Sequence, residues 1–259
     1  MEKVGIIIQA RMSSTRLPGK VLLPLAGKEM LWHVVERCRR SRRAHNVIVA
    51  TSSDRSDDVL AGWCKKNSIP VFRGNLDNVL SRYFNCAKKN NLDIIVRITS
   101  DCPLVDPSSI DEILRVLNTG RTKHVEYVSN LLDRNYPRGL DCEAFTFSVL
   151  KNAHKKAIDA FDKEHVTPYI IKNARTCPYT MPKKLQGNYR LTVDEKNDYK
   201  LIKLIYDNFY KNGDIINVCD VLKFLSKNKR VAIINKNVKQ KDKERQKQIV
   251  EAAKQKLLF

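Results

Sequence analysis

Ile6-Ile7-Ile8-Gln9-Ala10-Arg11-Met12-Ser13-Ser14-Thr15-Arg16-Leu17-Pro18-Gly19-Lys20 is the stretch on which the fold turns. The apolar run Val4 to Ile8 reads as a buried strand. It breaks into a loop of small hydroxyl residues carrying three cations, Arg11, Arg16 and Lys20, with a turn signal at Pro18-Gly19. Such a loop can aim backbone N–H groups and hydroxyls at phosphate oxygens while the cations neutralise their charge. Two arginines offer guanidinium forks and the lysine a point charge. No Gly-Lys-Ser/Thr follows a glycine-rich turn, and the loop has one glycine, so neither a Walker loop nor a Gly-x-Gly-x-x-Gly turn is present. Phosphate binding is the reading favoured over an ordinary basic strand-to-helix loop.

Outward from this strand the apolar periodicity alternates. Helical spacing over residues 29–43 is followed by a strand at Val47–Thr51, a helix over Asp57–Asn67 and a short strand at Pro70–Phe72. A helix over Asp77–Asn90, a strand at Ile94–Ile98 and a helix opened by Asp106-Pro107 come next. This order predicts an α/β fold, a Rossmann-like three-layer sandwich with a mostly parallel sheet. Regularity weakens over 120–187, read as a small irregular α+β insertion holding a helix near Phe147–Ala160. A strand at Tyr189–Val193 is expected to return to the sheet, and a strand at Val231–Asn235 to close a body spanning 1–235. Residues 236–259 read as a basic helical tail, loosely packed.

Composition bounds the class. At 259 residues, 42% hydrophobic and 29% charged, the chain can bury a large core. No apolar run is long enough for a bilayer, and the N-terminus lacks a signal-peptide pattern. Seven scattered cysteines without a Cys-x-x-Cys pair argue against a disulfide framework and a zinc site, and for a cytoplasmic protein. The net charge of +20 includes a tail with eight Lys/Arg against three Asp/Glu. Such a field attracts polyanions: a nucleoside triphosphate, an acidic co-substrate or nucleic acid would all respond to it. Lysine-rich composition alone would also produce it.

The stretch Gln9–Lys20 resembles the signature loop of the cytidylyltransferases that activate acidic sugars, in the branch named after spore coat polysaccharide biosynthesis protein F. The synthetases of CMP-Kdo (3-deoxy-manno-octulosonate) and CMP-sialic acid are near relatives. The resemblance continues, in family order, through Arg97-Ile98-Thr99-Ser100-Asp101-Cys102-Pro103-Leu104, Tyr136-Pro137-Arg138-Gly139-Leu140-Asp141-Cys142-Glu143, Glu164-His165-Val166-Thr167-Pro168-Tyr169 and Tyr189-Arg190-Leu191-Thr192-Val193-Asp194-Glu195. Five blocks over most of residues 3–235 make a specific match. It departs from the Kdo pattern at Gln9, where those relatives usually have proline, and at Ser100–Pro103, which replaces a Gly-Asp-Glu-Pro type loop.

The resemblance implies transfer of CMP from CTP to an acidic sugar or similar small acid, with Mg²⁺ as cofactor, in a homodimer. Asp101 and Asp194 each follow an apolar strand at the end where ligands bind parallel sheets. From spacing alone they are equally turn and helix caps; the resemblance makes them the metal ligands. Nucleotide binding is expected at Gln9, Ala10, Arg11, Ser13, Ser14, Thr15, Arg16, Lys20, Ser52, Arg73 and Ser100, with Arg11, Lys20 and Asp101 catalytic. Acceptor binding is expected at Arg138, Asp141, Glu143 and His165, the last equally readable as a structural histidine. Glu195 and Asp198 are left out of the expected site, since they are equally readable as surface charges. Two other classes compete. A sugar-nucleotide-dependent glycosyltransferase would want Asp-x-Asp after a strand, and none stands at 99–103. A basic nucleic-acid-binding protein would need no paired aspartates.

Overall fold

The computed structural model of the protein describes residues 2–120, 124–211, 213–241 and 243–256. In chain order the elements begin with β1 (Val4–Gln9), a hairpin of β2 (Pro24–Leu25) and β3 (Lys28–Glu29), and α1 (Met30–Arg39). Then come β4 (Asn46–Ser52), α2 (Asp58–Lys66), β5 (Val71–Gly74), α3 (Val79–Lys89), β6 (Ile94–Thr99) and α4 (Pro107–Gly120). Next are β7 (Tyr127–Ser129), β8 (Glu143–Thr146), α5 (Phe147–Lys156), α6 (Ala160–His165), α7 (Pro168–Asn173) and β9 (Thr176–Pro178). The chain ends with α8 (Lys196–Phe209), α9 (Val218–Lys227), α10 (Lys229–Ala232) and α11 (Lys243–Lys256).

The main sheet has seven strands in the order β5-β4-β1-β6-β8-β7-β9. β5, β4, β1 and β6 run parallel; β8 is antiparallel to both its neighbours, and β7 and β9 are parallel to each other. Strands alternate their side chains between two faces. Ile6 and Ile8 of β1 therefore join the layer under α1, α2 and α4, and Ile7 joins the layer under α3, α5 and α7. The chain leaves β1 toward β4 and β5, then returns to place β6 on the other side. That reversal opens a crevice at the carboxyl ends of β1 and β6, where open α/β sheets bind ligands.

The structure differs from the sequence reading in four places. The irregular segment contributes β7, β8 and β9 to the main sheet. Tyr189–Val193 is not a strand: its polar groups are spent on loops, in one bridge between Arg138 and Arg190 and in a bond from Val193 N to Asp101 O. Val231–Asn235 is likewise helical and turn-like, because Asn228 O receives the N–H groups of Val231 and Ala232. Nor is the tail loosely packed where it is described. Ile249 and Ala253 of α11 are buried in the layer that holds α3, α5 and α7. Residues 242 and 257–259 of the expected tail, and 121–123 of the expected insertion, lie outside the described residues.

Candidate active site

β1 ends at Gln9, and the loop that follows is held by its own backbone. Ser14 N and Gly19 N both donate to Met12 O, at 2.9 Å each, and Met12 N donates to Asp57 Oδ1 at 2.7 Å. Asp57 is wholly buried and also accepts from the N–H and hydroxyl of Ser52 at the end of β4. One carboxylate thus ties the cationic loop to the neighbouring strand. Gly19 has φ +70, a left-handed conformation that favours glycine, and the turn it makes directs Lys20 inward.

Lys20 is 8% exposed, and its ammonium gathers the loop and two distant segments. Nζ lies 3.0 Å from Asp101 Oδ2, 2.9 Å from Asp194 Oδ1 and 2.6 Å from Val193 O. All three ammonium donors are used. Burial would lower the lysine pKa, but the two carboxylates outweigh it and raise it above 10.5. Asp101 shows the reverse balance: burial would raise it, while Lys20 and the Thr99 hydroxyl, 2.6 Å from Oδ1, hold it below 3.8. Both groups are therefore charged at neutral pH.

Asp194 pairs with three cations. Its Oδ2 receives Arg190 Nη2 at 2.6 Å and Arg16 Nη2 at 3.1 Å. Arg16 also reaches Glu195, at 3.2 Å, and Lys239 O. Asp198, read from sequence as a surface charge, is fully buried. It accepts the backbone N–H groups of Asp194 and Glu195 and the Nε of Arg190, so it opens α8 and orients the metal-candidate loop together.

The other expected residues divide between two settings. Ser52 is consumed by Asp57, and Ser100 is buried with its N–H on Gln9 O. Arg73 pairs with Asp58 at 2.6 Å and bonds the carbonyls of Ser52 and Asp54, bracing the β4 loop. The N–H groups of Ser13 and Thr15, by contrast, have no acceptor among the described residues. Gln9 Oε1 and both Nε and Nη1 of the buried Arg82 also lack partners. Asp57, Arg82 and Arg190 are not assigned site roles from sequence, and Asp198 is left out of the site there as a surface charge. An Asp five residues beyond a strand-end serine was the signal available for the first; the rest depend on long-range packing.

Among the residues expected to bind the acceptor, Gly139 (φ +100) lets the loop Tyr136–Asp141 lie directly on the next segment. A Cβ there would stand 2.5 Å from Leu191 C and O. Asp141 bonds Arg134 at 2.5 Å and the Tyr136 hydroxyl at 2.9 Å. Arg138 is half-buried, and its guanidinium has no acceptor among the described residues. Burial and then the neighbouring Arg134 hold its pKa below the ordinary value, the setting of a cation short of negative charge. Glu143 is 2% exposed and faces Arg97 and the Tyr127 hydroxyl inside the sheet layer. His165 lies elsewhere, 4.1 Å from the Phe161 ring at the end of α6. It precedes a strained γ-turn, with Val166 at φ 71, ψ −56 and Thr167 N bonded to His165 O at 2.8 Å.

A family model described as cytidylyltransferase matches residues 5–255. Spore coat polysaccharide biosynthesis protein SpsF of Bacillus subtilis is 32% identical over 237 residues, 88% of this chain and 96% of that protein. A 3-deoxy-manno-octulosonate cytidylyltransferase of Anaeromyxobacter is 33% identical over 191 residues, 67% of this chain and 75% of that one. A solved cytidylyltransferase from Leptospira borgpetersenii superposes with a TM-score of 0.83 at 34% identity, covering 90% of this chain and 97% of that one. The fold is that of a nucleotidyltransferase. The chain belongs to the cytidylyltransferase family. Among the described residues no helix is long and apolar enough to cross a membrane.

Proposed function

We propose that this chain transfers CMP from CTP to an acidic sugar or similar small acid, as a homodimer in the cytoplasm. The acceptor hydroxyl oxygen bonds to the α-phosphorus, the bond to the β-phosphate oxygen breaks, and pyrophosphate leaves while the hydroxyl proton passes to solvent. The observation that carries the reading is the convergence of Lys20 on Asp101 and Asp194 at the crevice between β1 and β6.

Asp101 and Asp194 are the residues that would hold Mg²⁺. Their hard carboxylate oxygens suit that ion, and the lysine ammonium between them shows that they favour positive charge at this point. No cluster of three or more His, Cys, Asp or Glu that could hold a metal exists among the described residues, so substrate oxygens and water would complete the shell. The bound ion would polarise the α-phosphate and lower the hydroxyl pKa, so no strong protein base is needed.

The remaining steps fall to the chain. Arg11, Arg16 and Lys20, with the unengaged N–H groups of Ser13 and Thr15, bind the triphosphate, and Arg11 and Lys20 stabilise charge as it develops. Gln9, Ala10, Ser14, Ser52, Arg73 and Ser100 shape the nucleotide pocket. Arg138 supplies a guanidinium for the acceptor's carboxylate with Asp141 close by, and Glu143 and His165 act from farther off, through the sheet layer and the end of α6. The acidic-sugar assignment draws on the motif resemblance and on the names of the Bacillus and Anaeromyxobacter relatives. Mass spectrometry of reactions with CTP and a panel of sugar acids tests it: a conjugate heavier than its acid by one cytidylyl group is expected. Transfer confined to neutral alcohols would contradict it.

A further inference from the structure

The chain that follows α10 reaches Arg190 and Asp198. Asn235, 3% exposed, donates to Arg190 O at 2.9 Å and to Asp198 Oδ1 at 2.8 Å. Five residues on, Gln240 Oε1 accepts Arg190 Nη1 at 2.8 Å. Arg190 is then held by three acceptors, one for each guanidinium nitrogen: Asp198 on Nε, Gln240 on Nη1 and Asp194 on Nη2. A planar fork with every nitrogen committed has one orientation, and this one fixes Asp194 Oδ2.

The far end of the segment is anchored independently. Ile249 and Ala253 are buried against the α3, α5 and α7 layer. Arg245 pairs with Asp159 at 2.5 Å and sits 4.1 Å over the Phe161 ring, which in turn touches His165. The strap therefore runs from the metal-candidate aspartate to the segment bearing the acceptor-side histidine. Its composition fits that path. Lys239 and Lys241 flank the position, and either side chain facing Arg190 would repel it, whereas the neutral amide oxygen of Gln240 accepts from it.

We propose that the C-terminal segment is part of the catalytic centre, with Gln240 a positioning residue that holds Arg190 and through it Asp194. The proposal rests on the reading of Asp194 as a metal ligand. A partner that orients a metal's ligands typically changes metal affinity about 10–100-fold when removed. Gln240→Met keeps the size of the side chain and deletes the acceptor; Gln240→Glu keeps an acceptor oxygen. Gln240 is half-buried, so both variants should fold.

The test is Mn²⁺ titration of the 259-residue chain in the presence of CTP, followed by electron paramagnetic resonance of the free ion. In parallel, the Mg²⁺ concentration giving half-maximal pyrophosphate release is measured. Gln240→Met should raise both half-saturation points by about tenfold, the low end of that range, at unchanged melting temperature, and Gln240→Glu should restore them. A Gln240→Met protein with wild-type Mn²⁺ binding overturns the positioning role and leaves the proposed function standing. A wild-type protein that binds no Mn²⁺ with CTP overturns both.

Discussion

Lys20 Nζ and Asp101 Oδ2 lie 3.0 Å apart although 81 residues separate them. The parallel pairing of β1 with β6 makes the contact, because both strands end at the same rim of the sheet and each hands its next loop to the crevice. The same ammonium reaches Asp194, 174 residues away, without a strand to carry that second carboxylate. The site is thus assembled around one lysine, and removing its partners or the lysine itself gives separable outcomes.

The first prediction concerns the two carboxylates. Asp101→Asn and Asp194→Asn should keep the fold, because in each case Lys20 retains the other aspartate and Val193 O. Turnover should fall by at least about a hundredfold, the scale of losing one preorganised electrostatic group. Steady-state pyrophosphate release at saturating Mg²⁺ checks this, and near-wild-type activity in either variant would remove that residue from the metal site.

Lys20→Met should cost roughly 2–4 kcal/mol in transition-state stabilisation, as for removing one preorganised donor. It also leaves Asp101 with only hydroxyl and thiol partners on its side chain. Urea denaturation at neutral pH should therefore show lost stability as well as lost kcat/KM. A variant with full stability and full activity would show that the lysine merely fills space.

The pH dependence of stability follows from two carboxylates. Burial would raise Asp101 and Asp141, but Lys20 in the first case and Arg134 with the Tyr136 hydroxyl in the second bring both below 3.8. A lowered folded pKa gives stability that is present above the unfolded value and lost as pH falls through the folded one. Urea midpoints should be flat above about pH 4 and drop below it. Asp141→Asn should lower the plateau and shallow the acid limb; an unchanged limb would place the acid lability in other carboxylates.

How much of this was legible in the sequence depends on where each contact is made. The periodicity of Val4–Ile8, Val47–Thr51 and Ile94–Ile98 declares strands buried on both faces, and their alternation with helices gives the sheet. β8 was hidden because Glu143 puts a charge inside a four-residue strand; Arg97 and Tyr127 across the sheet make that tolerable. Tyr189–Val193 has the alternation of a strand, yet its neighbours are the Gly139 turn and Asp101 O. The bond of Gln240 to Arg190 joins residues 50 positions apart with no periodic pattern between them, so the strap left no signal.

Base preference is a fourth prediction. A ligand that binds only the folded state stabilises it by mass action, about 2.7 kcal/mol at a hundred times its Kd. Thermal melts with CTP, UTP, ATP and GTP in Mg²⁺ should show the largest shift for CTP. A larger shift for another triphosphate would reassign the base while keeping the reaction class.

The measurement that bears most directly on the account is pyrophosphate release from each of the four triphosphates, with and without a panel of sugar acids and phosphonates, in Mg²⁺. Release should require CTP and an acidic acceptor together, and Asp101→Asn should lower it by at least about a hundredfold. Release independent of any acceptor, or none from CTP with any acid, would contradict it.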